Sequence, residues 1–119
     1  MTQLLKIKKM KTLEEVLKNE PKFYELFGCE QDVLIEFQIS SLYGYRILFA
    51  YYSYEDYSGN AFLLLEKNNE LYEVNGSHCS CYGLEGQFEP EKTSLEYFQH
   101  IFEKGNVYDT LPLLKEFLS

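Results

Sequence analysis

YRILFAYYSYEDYSGNAFLLLEKNNELYEVN, residues Tyr45 to Asn75, decides how this 119-residue chain folds. From Tyr45 to Tyr54, Ile47, Phe49, Tyr51 and Ser53 alternate with Arg46, Leu48, Ala50 and Tyr52. That is a two-residue period, and its centre is apolar on both faces, so the segment reads as a central strand covered on both sides. Glu55 to Gly59 reads as a loop and Ala61 to Lys67 as the next strand. Asn68-Asn69 is a turn, and Glu70 to Asn75 a further strand. Connections this short join antiparallel neighbours, because a parallel return needs a crossover of a dozen residues or more.

Working back from this block, DVLIEFQISS (Asp32 to Ser41) sets Val33, Ile35, Phe37 and Ile39 on one face, which predicts another half-buried strand. Leu42-Tyr43-Gly44 would turn it into the next. TLEEVLKNEPKFYELF (Thr12 to Phe27) reads as helical. Thr12 precedes Glu15 by three, a capping box, and Leu13, Val16 and Leu17 follow at helical spacing. Pro21 breaks this helix or opens a second one carrying Phe23, Leu26 and Phe27, with Gly28 as its stop. Forward of the block, Thr93 and Glu96 form a second capping box before a helix striped by Leu95, Phe98, Ile101 and Phe102 and ended by Gly105. A last helix runs from about Thr110 to Leu118, with Leu111, Leu114, Phe117 and Leu118 apolar and Pro112 in its first turn. The predicted fold is a single α+β domain: a four-stranded antiparallel meander, with helices from the N- and C-terminal ends packed on the sheet.

Composition narrows the function classes. Aromatic residues make up 17% of the chain, with 11 Tyr and no Trp, which excludes wholesale disorder. No apolar run approaches the roughly 20 residues of a membrane helix, and no cleavable leader pattern follows the basic start. The expectation is a cytoplasmic protein, the host-cell cytoplasm if phage-encoded, with no membrane partner. Residues 1–11 hold four lysines (Lys6, Lys8, Lys9 and Lys11) and no acid, whereas the remainder holds seven basic and 19 acidic residues, a net of −12. Such a body repels nucleic-acid phosphate and attracts basic protein surfaces. Direct nucleic-acid contact is expected only through the basic arm, at Lys6, Lys8 and Lys9.

SHCSCYGLEGQF, Ser77 to Phe88, concentrates His78, Cys79 and Cys81 among Gly76, Gly83 and Gly86. A structural zinc site wants four ligands, usually two spaced pairs, and only one tight pair is present. His78 and Cys79 are adjacent, so an extended backbone sends their side chains apart. A cysteine nucleophile needs an imidazole within hydrogen-bond reach, such as His100, with Glu85 or Glu96 beside it. The third reading is structural: small residues and glycines shape a corner between the sheet and the C-terminal helices, with Phe88 dropping into the core. The structural reading is preferred, so no metal and no cofactor are implied.

AFLLLEKNNELYEVNGSHCSCYGLEGQFEPEKTSLEYF, Ala61 to Phe98, resembles a pattern in small, mostly uncharacterised proteins of bacteriophages, prophages and bacterial genomes. Gly76, His78, Cys79, Cys81, Tyr82, Gly83, Leu84, Glu85 and Gln87 carry the match, and Phe88 stands where that pattern has Trp. The resemblance implies a protein that travels on phage or mobile elements, and it carries no chemistry.

YYSYEDYSGNAF, Tyr51 to Phe62, clusters tyrosines around two acids. Tyrosines give rigid amphipathic contact area, which interfaces favour, although the same pattern also makes ordinary cross-strand ladders. Asp56, Ser58 and Asn60 fall short of a calcium loop, since the glycine and the distal glutamate are out of register. No phosphate loop, nucleophile elbow or zincin motif occurs. These features point to a small acidic, non-catalytic interaction protein that binds and modulates a host protein or ribonucleoprotein, such as an inhibitor of host defence of the anti-CRISPR type. Tyr52, Tyr54, Glu55, Asp56, Tyr57, Tyr82 and Glu85 are the candidate binding residues on the body. The alternative is a zinc or cysteine-nucleophile site built on residues 78–81.

Overall fold

The computed structural model describes residues 10–104 and 111–119. The chain forms α1 (Leu13–Lys18), β1 (Lys22–Glu25), α2 (Glu30–Phe37), β2 (Arg46–Glu55), β3 (Ser58–Lys67), β4 (Glu70–Cys79), β5 (Glu91–Thr93), α3 (Leu95–Lys104) and α4 (Leu111–Leu118). The strands lie in sequence order in one sheet. β2 to β5 pair antiparallel, whereas β1 runs parallel to β2, from Lys22 opposite Phe49 to Glu25 opposite Tyr52. The architecture is α+β as predicted, but the sheet is mixed and five-stranded.

Burial explains the layering. Ala61 to Leu65 are five consecutive buried residues in β3, so both faces of the sheet need a cover. On one face Leu64, Phe62 and Tyr51 pack with Val16 of α1, Phe98 of α3, and Leu114, Phe117 and Leu118 of α4. On the other, Leu63, Leu65, Ala50 and Tyr52 pack with Val33 and Phe37 of α2 and with Leu84 from the β4–β5 connection. β2 feeds both cores through a bulge. Ile47 pairs with Leu65 and Phe49 with Leu64, leaving Leu48 without a Cα partner. Leu48 and Phe49 therefore both enter the first core, and Ile47 falls in with Ala50 and Tyr52 in the second. The strict alternation expected for Ile47, Phe49 and Tyr51 is broken at that bulge.

Two segments differ from the predicted elements. Asp32 to Ser41 is not a strand: Glu30–Phe37 is a helix, burying Val33 and Phe37 one turn apart and leaving Ile35 exposed. Its first turn is acidic, as a helix N-terminus favours, and Asp32 Oδ2 accepts from the Gly28 N–H at 2.8 Å. Gln38 ends it in the left-handed conformation, at φ 56°. The helix is the crossover that a parallel β1–β2 pair requires. The helical reading of Phe23 to Phe27 is likewise replaced by β1, which sends Tyr24 into one core and Phe23 into the other. Helical structure before it stops at Asn19, ahead of Pro21.

Several local signals hold. Glu15 N–H donates to Thr12 Oγ1 and Thr12 N–H to Glu15 Oε1, the expected capping box. Asn68 and Asn69 make the β3–β4 turn at φ 55° and 64°. The Glu55–Gly59 loop shrinks to a two-residue turn at Asp56-Tyr57, and β4 extends through Cys79, past the expected end at Asn75. The second helix cap shifts by one residue: Tyr97 N–H donates to Ser94 Oγ at 3.1 Å, while Thr93 lies in β5. The expected helix end at Gly105 and start at Thr110 lie outside the described residues. Among the described residues, no helix is long and apolar enough to cross a membrane.

Thr93 Oγ1 is buried and has no hydrogen-bond partner among the described residues. Thr93→Val should therefore keep or raise stability, because it deletes an unsatisfied hydroxyl and preserves shape. Ser94→Ala should lower it by about 1 kcal/mol through loss of the cap. Urea titration of the two variants checks both signs.

Candidate functional site

The candidate residues gather at one end of the sheet. β1 and β2 both run toward that end, and Leu26 N–H donates to Tyr52 O just beyond β1. The β2–β3 hairpin closes there, and Ser58 lies opposite Cys79. The turn that follows β4, in which Tyr82 N–H donates to Cys79 O, thus sits beside the hairpin tip. Strand register brings Tyr54 and Glu55 into line with His78 and Cys79 through Gly59 and Ser58, and the Asp56-Tyr57 turn and the turn bearing Cys81 and Tyr82 leave the sheet at this same end, near Tyr52.

A tyrosine–histidine bridge pins this end. Tyr52 Oη is 2.6 Å from His78 Nε2, and His78 Nδ1 is 2.8 Å from Cys79 O. A carbonyl oxygen only accepts, so Nδ1 carries the proton; in the neutral ring Nε2 then accepts from the Tyr52 hydroxyl. The bridge links β2 to β4 across β3, directly over Gly59, which pairs with His78. Glycine is required there, because a Cβ at 59 would stand 2.2 Å from His78 Nε2. The Tyr54 ring packs edge-on against the imidazole, 5.0 Å between centroids. Burial, reinforced by the negative field of Glu36, Tyr54 and Glu85, pushes the Tyr52 hydroxyl above the usual tyrosine range. A hydroxyl held in its protonated form at neutral pH is what donation to the imidazole needs.

The cysteine thiols take no part in this bridge. His78 shares strand parity with Val74 and faces the second core, so Cys79 points to the opposite side of β4. Cys29, Cys79 and Cys81 are free and exposed. Among the described residues, no three His, Cys, Asp or Glu side chains gather as metal ligands would. His100, the base considered for a thiol, lies on α3 and makes no hydrogen bond to either cysteine among the described residues.

The rest of the motif builds a cover. Leu84 is fully buried and Phe88 packs against Phe37, Tyr43 and Tyr45. Gln87 clamps the outer edge of β4. Its Oε1 accepts from Ser77 N–H at 2.8 Å, and its Nε2 donates to Ser77 O at 2.9 Å and to Gly83 O at 3.1 Å. One side-chain amide thereby supplies the pairing that a further strand would give, which shields an edge from other chains. Gly76 lies beneath this cover, where a Cβ would stand 3.0 Å from Leu84 Cδ2, and Gly86 turns at φ 79°. The expected corner therefore exists, but only from Ser80 onward.

Exposure sorts the candidates. Tyr52 is buried at 4%, whereas Tyr54, Tyr57 and Tyr82 are 41%, 77% and 69% exposed. Glu55, Asp56 and Glu85 are exposed beside them. Lys6, Lys8 and Lys9 lie outside the described residues. Sequence reasoning missed Gly59, Glu36 and Gln87. The glycine after Tyr57-Ser58 was a usable signal for Gly59, since a glycine inside a strand marks a close approach.

The chain matches no protein-family model, no curated protein and no solved structure.

Gly59→Ala should destabilise the fold by about 1–3 kcal/mol, because the new methyl displaces the imidazole. Tyr52→Phe should cost about 1 kcal/mol for the lost hydrogen bond. Because the folded state holds the Tyr52 proton more tightly than the unfolded chain, its contribution is complete below pH 10 and falls away as pH rises through the folded value. Alkaline melting curves of wild type and Tyr52→Phe should therefore converge above about pH 10.

Proposed function

We propose that the protein is a non-catalytic interaction module whose tyrosine-bearing sheet end docks on a basic surface of a host protein or ribonucleoprotein. One observation carries this reading. Tyr57 occupies the second central position of a two-residue hairpin turn at φ 66° and is 77% exposed. A side chain there strains the backbone by about 1–2 kcal/mol, which is why such turns favour Asn-Gly. The β3–β4 turn of this same chain uses Asn68-Asn69, residues suited to positive φ. At Tyr57 the fold retains an unsuited, solvent-exposed aromatic side chain, and local strain of that kind concentrates at functional tips.

Chemistry names the partner class. Tyr54, Tyr57 and Tyr82 offer rigid aromatic faces, and Glu55, Asp56 and Glu85 surround them with negative charge. Aromatic faces among carboxylates suit arginine and lysine side chains, through cation–π contact and ion pairing. The net charge of −8 steers the same class of partner. The resemblance of Ala61 to Phe98 to small phage and prophage proteins favours a host target, and inhibition of a defence complex is the activity that fits such a module. The thiols are free and exposed, and no cluster of metal-ligand side chains forms among the described residues, which favours this reading over the zinc or nucleophile alternative.

Tyr57→Gly separates fold from function. It should raise stability by about 1 kcal/mol by relieving the positive φ, yet weaken partner binding by about 2 kcal/mol as the loss of an aromatic anchor. Calorimetric melting and a titration against the captured partner read the two effects. Cys79→Ala/Cys81→Ala should leave binding intact; lost binding at an unchanged melting temperature would sink this reading.

A further inference from the structure

The first 22 residues carry six of the chain's eleven basic side chains and only three acids, Glu14, Glu15 and Glu20, for a net of +3. Residues 23–119 carry five basic and 16 acidic side chains, for a net of −11. The fold gathers the described part of this positive segment into one place. Lys11, Lys18 and Lys22 line a single cleft of about 640 Å³ between α1, β1 and α4. That volume lies within the range of small-molecule sites.

The three lysines arrive by different routes. Lys11 is fixed: its Nζ donates to Phe117 O at 2.9 Å and sits 5.3 Å from the centre of the Phe117 ring. Lys18, in the last turn of α1, meets Glu14 only at 3.9 Å, with both side chains largely solvated. Such a pair is readily exchanged for another anion. Lys22 opens β1 and forms no salt bridge among the described residues. Tyr24, half-buried and held by a ring contact to Phe49, gives the cleft its aromatic wall, whereas Phe117 is buried at 6% beneath the Lys11 ammonium. Glu20 and Glu116 line the same cleft, so its three lysines exceed its two carboxylates by one charge.

We propose that this cleft binds the phosphates of a nucleotide, free or within a single RNA strand, with Lys18 and Lys22 on phosphate and Tyr24 against base or sugar. Lysines lining a groove with aromatic walls are what single-stranded nucleic acid uses, and every base offers a face to stack. The site lies on the described body, in sequence continuity with Lys6, Lys8 and Lys9, and so places nucleic-acid contact beyond the N-terminal arm. β1 leads from it at Lys22 to the tyrosine end at Glu25, about 10 Å along a strand. A partner presenting both a basic protein surface and RNA would engage both ends.

Fluorescence anisotropy with a labelled eight-nucleotide single-stranded RNA, and calorimetry with ATP, test the site on the intact chain. Binding should weaken steeply from 50 to 200 mM salt, because lysine–phosphate contacts release counterions. Lys18→Glu/Lys22→Glu, both exposed positions, should weaken it at least about tenfold with an unchanged melting temperature, and Glu20→Gln should tighten it. RNA binding without ATP binding assigns the strand as ligand; binding of both assigns the nucleotide itself. No binding of either at millimolar concentration, or equal binding by the double lysine variant, overturns the proposal.

Discussion

The unbroken burial of Ala61 to Leu65 is the constraint on which the rest depends. A strand that is apolar on both sides has to lie between two covers. The chain supplies one from α1, α3 and α4, and the other from α2 and the β4–β5 connection. The bulge at Leu48 lets neighbouring β2 serve both cores, adding Leu48 and Phe49 to one and Ile47 to the other. β1 pairs along the outer side of β2, and from the second cover the Gln87 amide occupies the exposed Ser77 backbone of β4.

The same geometry makes one end of the sheet rigid and leaves it exposed. Tyr52, Gly59 and His78 lie on three successive strands, and the absence of a side chain at Gly59 lets the outer two meet. The Nδ1–H bond to Cys79 O carries that anchorage into the turn that bears Tyr82. A binding surface gains from such preorganisation, because little side-chain freedom remains to be lost on contact. His78, whose residue type suggests ligand or catalyst, serves here as a brace.

The sheet block was legible because its signals were local and redundant. Ala61 to Leu65 is a continuous apolar run, Asn68-Asn69 names its own turn, and Thr12 with Glu15 names its own cap. The segment from Phe23 to Ser41 was misread because its signal was ambiguous. Val33 and Phe37 satisfy a period of two and an i, i+4 helical contact equally, and only the parallel placement of β1 decides between them. A four-residue strand such as β1 has no periodicity of its own, and its partner lies 27 residues away in sequence. At the site, the tyrosines and His78 were visible as types. Their convergence was not, because it depends on β4 continuing to Cys79 and on a hairpin turn one residue pair long.

The protein thus carries two surfaces of opposite character: an acidic, aromatic sheet end, proposed to meet a basic protein surface, and a lysine-lined cleft, proposed to take phosphate. The central claim is that the sheet end is the protein contact. Site-specific photocross-linking tests it most directly, with the cross-linker at position 57 or, for comparison, at position 97 on α3, where Tyr97 is also exposed, at 49%. A discrete adduct with one host protein from position 57, and none from position 97, is the expected result. Equal adducts from both positions, or an adduct from position 97 alone, would contradict it.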